Sequence, residues 1–308
     1  MSENKKGILL AGLAYTIWGV LPLYWNLVDE IGPFEILAHR VLWSVVFMLI
    51  LLTVTRQLNM FKNATTKLFK NKKMLIAIIA AGYIITLNWG TFIWAVNNHH
   101  VLQASLGYYI NPLVSILFAF IFLGERFSIA QWIAIILAFI GVLFMTFQVG
   151  EFPTVSILLA VSFALYGLIK KVVDIDAFSS ITIECIVTLP AALIYIYYLS
   201  ETNNITFGMN TSSAWLLLAG VVTATPLVLF SAGARKIPLS LTGFLQYIAP
   251  TIMFFLGIFL LNEHFDINQF ITFIFIWISI IIYSYSKYME MKKNRRKLIK
   301  KQIEKSFR

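Results

Sequence analysis

The segment Glu35-Ile36-Leu37-Ala38-His39-Arg40 puts three ionisable side chains into a stretch that is otherwise apolar. On a helix, Glu35, His39 and Trp43 recur every four residues and share a stripe, whereas Arg40 projects about 100° away. A histidine that titrates near neutral pH beside a carboxylate is equipped to relay a proton. The guanidinium of Arg40 can hold an anionic substrate group or pair with a helix carbonyl. Glu184, in a later apolar stretch, is the other candidate proton carrier or ion-pair partner. Polar and aromatic residues at similar depth could line one cavity with them: Tyr15 and Trp18, Trp43, Asn88 and Trp89, Tyr108 and Asn111, Tyr166, and Gln246 and Tyr247. Aromatic walls with a few hydrogen-bonding groups suit a small organic ligand, through area burial and cation–π contact. A structural reading competes for each residue, because Trp and Tyr also form interfacial belts and Asn or Gln also tie helices together.

What must position these residues follows from composition. Only 12% of the 308 residues are charged and 59% are hydrophobic, against about 25% charged in a soluble chain. Such a surface cannot face water, which argues against a soluble enzyme. Spans need about 20 apolar residues each, and a chain that is nearly all membrane should be all helix, since lipid satisfies no backbone group. Apolar runs place ten transmembrane helices near 7–27, 34–54, 74–96, 101–123, 129–147, 154–173, 179–199, 214–234, 239–261 and 269–287. The first run lacks a small-residue cleavage site and carries Trp18 and Pro22 in its body, so it reads as a retained helix. The single cysteine, Cys185, excludes an internal disulfide framework and a cysteine metal cluster. No cofactor or metal is expected.

Basic residues mark cytoplasmic loops. The N-terminus, the segment after the second run, Arg126, Lys170 with Lys171, Arg235 with Lys236, and the tail from Lys287 hold all 24 Lys and Arg except Arg40. The alternate connections, around Asp29, Asn98, Glu151, Asn204 and Asp266, hold none. Both termini are therefore expected in the cytoplasm. The net charge of +10 becomes a topology signal, with the tail resting on anionic headgroups and no nucleic-acid partner. Arg40 is the exception, about 9 Å along its helix at ~1.5 Å per residue, where a charge is costly.

Laid against itself with Tyr109 on Tyr247, the chain matches without gaps. Tyr109-Ile110-Asn111-Pro112 falls on Tyr247-Ile248-Ala249-Pro250, and Leu123, Glu125, Phe127, Ile129 and Gln131 fall on Leu261, Glu263, Phe265, Ile267 and Gln269. A repeat of five helices must be inverted in its second copy, as in secondary transporters that rock one repeat against the other around a midplane site. The expected division is 1–150 for the first repeat, 151–288 for the second and 289–308 for a basic cytoplasmic tail. Pro112 and Pro250 each remove a helix hydrogen bond, and matched helix breaks point to a transporter's binding site. Packing kinks are the alternative.

The order of Tyr15-Thr16-Ile17-Trp18-Gly19, Glu35 to Arg40 with Trp43-Ser44, Asn88-Trp89, Ser105-Leu106-Gly107-Tyr108-Tyr109-Ile110-Asn111-Pro112-Leu113 and Gly124-Glu125 resembles the bacterial RarD family, in the EamA branch of the drug/metabolite transporter superfamily. The resemblance implies ten helices in two inverted repeats, a central cavity and export of small metabolites or drugs across the bacterial cytoplasmic membrane. Gln246 in place of Tyr108 and Ala249 in place of Asn111 make any site built on both copies asymmetric.

The expected function is thus a secondary transporter of small amphipathic molecules working by alternating access, with His39, Glu35 and Glu184 as proton-coupling candidates. Its partners are a small-molecule substrate and membrane lipids. Gly12, Gly19, Gly107 and Gly141 permit close helix packing, within or between chains, so homo-oligomerisation stays open. ATP-driven transport would need a Gly-x-x-x-x-Gly-Lys-Ser/Thr loop, and zinc proteolysis a His-Glu-x-x-His helix; neither occurs. An intramembrane lipid-modifying enzyme and a non-transporting sensor are the alternatives.

Overall fold

In a computed structural model of the chain, residues 3–28, 30–98, 100–149, 152–208, 211–260 and 267–306 are described. Asp29, His99, Glu151, Leu261, Phe265, Asp266 and the pair Glu263-His264 lie outside the described residues. Ten helices are long and apolar enough to cross a membrane, and no strand occurs among the described residues.

The helices are α1 (Glu3–Trp25), α2 (Pro33–Val54), α3 (Leu58–Lys70), α4 (Lys72–Asn97), α5 (Val101–Phe122), α6 (Ile129–Val149), α7 (Thr154–Val172), α8 (Ala177–Glu201), α9 (Thr211–Leu217), α10 (Ala219–Ala234), α11 (Leu239–Gln246), α12 (Ile248–Phe259) and α13 (Ile267–Ser306). Two spans are broken: α9 with α10 form one, and α11 with α12 another. The second break has a chemical cause. Pro250 has no N–H for the carbonyl of Gln246, and Tyr247 instead donates its N–H three residues back, to Phe244.

Two features of the sequence reading change. Pro112 does not break its helix, because α5 runs through it from Val101 to Phe122. A proline ring fixes φ at a value the helix already uses, so one lost bond at Tyr108 can be absorbed. The neighbouring carbonyl, that of Tyr109, accepts the hydroxyl of Tyr247 at 3.2 Å. The segment read as a tail after 288 also continues α13 without interruption to Ser306.

The chain separates into two compact units, Met1–Leu123 with Pro153–His264, and Gly124–Phe152 with Phe265–Arg308. In the larger unit, small residues set the close approaches. A Cβ on Gly19 would lie 2.8 Å from that of Ile252, and one on Gly107 3.1 Å from that of Leu159. A Cβ on Gly220 would collide with the backbone of Trp43 and Ser44, so only glycine lets α10 meet α2 there. Gly12 faces open space. Side chains then tie the helices where backbones do not: Ser156 Oγ donates to the carbonyl of Gln103 at 2.5 Å, fixing α7 to α5.

The smaller unit is the pair α6 and α13. Gly141 admits Phe275, whose Cβ a methyl at Gly141 would meet at 2.9 Å, and Ser279 Oγ donates to the carbonyl of Ala134 at 2.6 Å. Gln131 starts α6 in a capping box: its Oε1 accepts the N–H of Ser128 at 2.9 Å, while Ser128 Oγ receives the N–H of Gln131.

The basic connections of the larger unit meet at one end. The amphipathic α3 buries Ala64 and Leu68 against Ile78, Val173, Ile175 and Ile183 and leaves Phe69 exposed. Lys67 Nζ donates to Asp174 Oδ2 at 2.6 Å, and Arg235 Nη2 reaches Asp174 Oδ1 at 3.0 Å. The hydrogen bond from Lys67, then the positive charges of Lys67 and Arg235, hold the Asp174 carboxyl below its usual range. A depressed carboxylate contributes above its unfolded pKa, about 3.9, and the contribution is lost as pH falls through the folded value. Protection of α3 amides from hydrogen exchange, corrected for intrinsic rates, should therefore be flat from about pH 5 to 8 and decline only below about pH 4. Asp174→Asn should raise exchange in 58–70 at neutral pH; unchanged exchange there would mean that the apolar contacts alone hold the helix.

Candidate functional site

Helix α2 sorts its ionisable residues by face. Glu35 and His39 turn toward the connection that precedes α9, while Arg40 turns into a cavity of about 210 Å³ within the larger unit. The carboxylate of Glu35 accepts three backbone bonds, from Thr206 N–H at 3.0 and 3.1 Å and from Phe207 N–H at 2.9 Å. His39 stacks on Phe207 with ring centroids 4.5 Å apart, and its Nδ1 accepts Trp43 Nε1–H at 3.2 Å. That bond leaves the ring proton on Nε2, which is buried and has no partner among the described residues.

Arg40 has a different environment. Its Cζ lies 4.6 Å from the ring centre of Trp25 and 4.3 Å from that of Trp89. Nε donates to Thr223 Oγ1 at 3.1 Å. No carboxylate pairs with it among the described residues. Each cation–π contact contributes about 0.5–2 kcal/mol, which does not match the several kcal/mol that removing a charge from water costs. The guanidinium keeps Nη donors that no described residue engages.

The walls come from six spans. Tyr15, Trp18, Pro22 and Trp25 form a stripe on α1, and α4 adds Asn88, Trp89 and Phe92. From α5 come Tyr108 and Asn111, from α7 Leu159 and Phe163, and from the broken span Gln246, Ala249 and Met253. The ring of Trp18 packs 5.4 Å from Tyr15 and 5.7 Å from both Phe163 and Phe230, which fixes the apolar wall. Asn88 is held by its amide: Nδ2 donates to the Leu159 carbonyl at 2.9 Å and to Ser162 Oγ at 2.7 Å. Asn111 Oδ1 accepts Ser115 Oγ–H at 3.4 Å. The hydroxyl of Tyr15 is buried without a partner, and the side chains of Tyr108 and Gln246 make no hydrogen bond among the described residues.

The cavity thus gathers Tyr15, Trp18, Arg40, Asn88, Trp89, Tyr108, Asn111 and Gln246 from the residues expected at it, and not His39, Trp43, Tyr166 or Tyr247. The reason is register. His39 and Trp43 share the Glu35 stripe, away from Arg40, and Tyr247 spends its hydroxyl on the helix contact with Tyr109. Pro112 and Pro250 do not touch the cavity either; Pro250 acts through the break beside Gln246. Trp25 escaped the sequence reading, although its spacing of seven from Trp18, with Pro22 between, was a signal for one face of α1.

Glu184 lies behind this wall in a polar cluster. Tyr166 Oη donates to its Oε2 at 3.1 Å and Ser180 Oγ to its Oε1 at 2.8 Å, while Lys170 Nζ pairs with the same Oε1 and donates to Ser180 Oγ at 2.7 Å. Both charged groups are buried, Lys170 to 2% exposure and Glu184 to 4%. Lys170 had been read as a loop charge; the last turn of α7 instead turns it inward to the Ser180–Glu184 face of α8. A void of about 20 Å³ touches Glu184, Thr188, Thr223 and Trp89, so it lies between the ion pair and residues that contact Arg40.

Ten membrane-length helices, with an aromatic cavity inside the larger unit, define a multi-pass membrane protein with an internal pocket. The model of the EamA-like transporter family matches residues 5–147 and again 154–285, and the chain belongs to that family. Protein RarD of Salmonella typhi is 43% identical over 91% of this chain and 95% of its own length. The transporter YojE of Bacillus subtilis is 41% identical over 93% and 96%. Chloramphenicol-sensitive protein RarD of Pseudomonas aeruginosa is 30% identical over 96% and 99%. A crystal structure with 14% identity shares the fold at a TM-score of 0.70, covering 91% of this chain and 97% of its own.

Lys170→Met leaves Glu184 a buried charge without its partner and should cost about 3–5 kcal/mol of stability, whereas Lys170→Met with Glu184→Leu should recover most of the loss. Unfolding of the detergent-solubilised variants measures both. A double variant no more stable than Lys170→Met would mean that Lys170 and Glu184 do not act as a pair.

Proposed function

We propose that the protein is a secondary transporter that exports small amphipathic metabolites or drugs across the bacterial cytoplasmic membrane by alternating access. The observation that carries the reading is the cavity: an aromatic slot among membrane-length helices, lined from both halves of the sequence and holding a guanidinium with no counter-ion among the described residues. The two segments matched by one family model support a division into two repeats, and the names of the relatives support transport. With both termini in the cytoplasm, the Lys67–Asp174–Arg235 cluster lies on the inner side and the Glu35 contacts on the outer.

Coupling is assigned to Glu184. Its carboxylate has a phenol, a hydroxyl and an ammonium as proton-exchanging neighbours, and the adjoining void has room for about one water. Glu35 has the weaker case, since two backbone N–H groups, those of Thr206 and Phe207, engage it through three contacts. His39 lies outside the cavity and anchors the outer connection through Phe207.

Untargeted comparison of medium from cells with and without the protein should reveal at least one small metabolite enriched by the protein. Ile93→Trp, which fills the cavity from α4, should return it to background with the protein still in the membrane. Equal media in the two strains would remove the export reading. In proteoliposomes loaded with that metabolite, an imposed pH gradient should accelerate flux, and Glu184→Gln should abolish the acceleration while leaving downhill flux. Flux indifferent to the gradient in the unmodified protein would remove proton coupling.

A further inference from the structure

The cavity's electrostatics specify more than a pocket. Among the described residues Arg40 is its only charged lining residue, and no Asp or Glu lines it. Glu184, behind Trp89, already has Lys170. Trp25 and Trp89 hold the guanidinium in place, and only Nε is bound, to Thr223. An arginine fixed in this way presents a preorganised pair of Nη donors, the arrangement that binds a carboxylate through two parallel hydrogen bonds. The rest of the wall supplies Trp18, Phe92 and Phe163 for an apolar body. The hydroxyl of Tyr15, buried and without a partner, is an additional polar atom on the same wall.

We infer that the transported substrate is a small amphipathic monoanion: a carboxylate that pairs with Arg40, carrying an aromatic or branched aliphatic body against the Trp18–Phe163 wall. This rests on the export reading above and narrows it. The charge count selects a monoanion, because one carboxylate brings the dry cavity to neutrality, whereas a phosphate dianion would leave net negative charge in low dielectric. The volume selects a small one. About 210 Å³ is below the ~300–1,000 Å³ of drug-sized sites.

The test compares three probes of one shape, 3-phenylpropionate, 3-phenylpropionamide and 3-phenylpropylammonium, titrated calorimetrically into purified protein in detergent with empty micelles as the blank. The carboxylate should bind at least about 10-fold more tightly than the amide, the size expected of hydrogen bonds to a charged group, and the ammonium should not bind. Arg40→Gln should abolish the preference and Arg40→Lys should keep only part of it, since a lysine retains the charge and loses the fork. Unfolding temperature reports whether each variant is folded. If Arg40→Gln does not fold, Arg40→Lys and Thr223→Val, which frees Nε, carry the test through the same carboxylate-to-amide ratio. Equal affinity for carboxylate and amide, preference for the ammonium, carboxylate binding unchanged in Arg40→Gln, or no binding of any probe would each overturn the inference. None of these touches the export reading, which the comparison of media decides without regard to charge.

Discussion

A hydrocarbon bilayer offers no hydrogen-bond partner, so each polar group in a span must find one inside the protein. Most do, and the bonds they make fix particular helix pairs. Asn88 ties α4 to α7, Ser156 ties α7 to α5, and Lys170 with Ser180 and Glu184 ties α7 to α8. Glu35 ties the start of α2 to the connection before α9. Apart from His39 Nε2 and Ser179 Oγ, the exceptions in the spans gather in one neighbourhood. Among the described residues, the hydroxyl of Tyr15, the side chains of Tyr108 and Gln246 and the Nη donors of Arg40 lack hydrogen-bond partners together, around the cavity. The fold satisfies polarity at most helix contacts and leaves a concentration of uncommitted polar groups around the cavity.

Much of this was legible in the residues themselves. Continuous apolar runs gave every span to within a few residues, because a membrane helix must be uniformly apolar over a fixed length. Arg40 stood out because every other basic residue falls in a connection or within a turn or two of a span's end. What the sequence concealed depends on direction rather than composition. The helix α3 alternates apolar and basic residues over only 13 positions and has no membrane-length signature. Lys170 shares its composition with a loop charge, and only the rotation of α7 distinguishes the two. His39 and Trp43 share a helix with Arg40, yet a turn of about 100° per residue sends them to the connection before α9 instead of the cavity.

The proline pair shows how identical chemistry diverges with context. Pro112 and Pro250 each remove one backbone donor, yet α5 continues while the other span parts at Tyr247. Where α5 passes the break, Gly243 lets the carbonyl of Pro112 come close enough that an added Cβ would meet it at 3.0 Å. A continuous rod and a jointed one therefore cross at the cavity's edge, and the jointed one delivers Gln246 to it.

Tyr108 and Asn111 on α5, against Gln246 and Ala249 on the jointed span, give the cavity two unlike ends. With Arg40 fixed on a third side, three dissimilar points of attachment surround the space. Three such points suffice to distinguish a molecule from its mirror image, so a ligand with a stereocentre meets a handed slot. The cavity meets that geometric minimum even though its walls are mostly flat, non-directional rings.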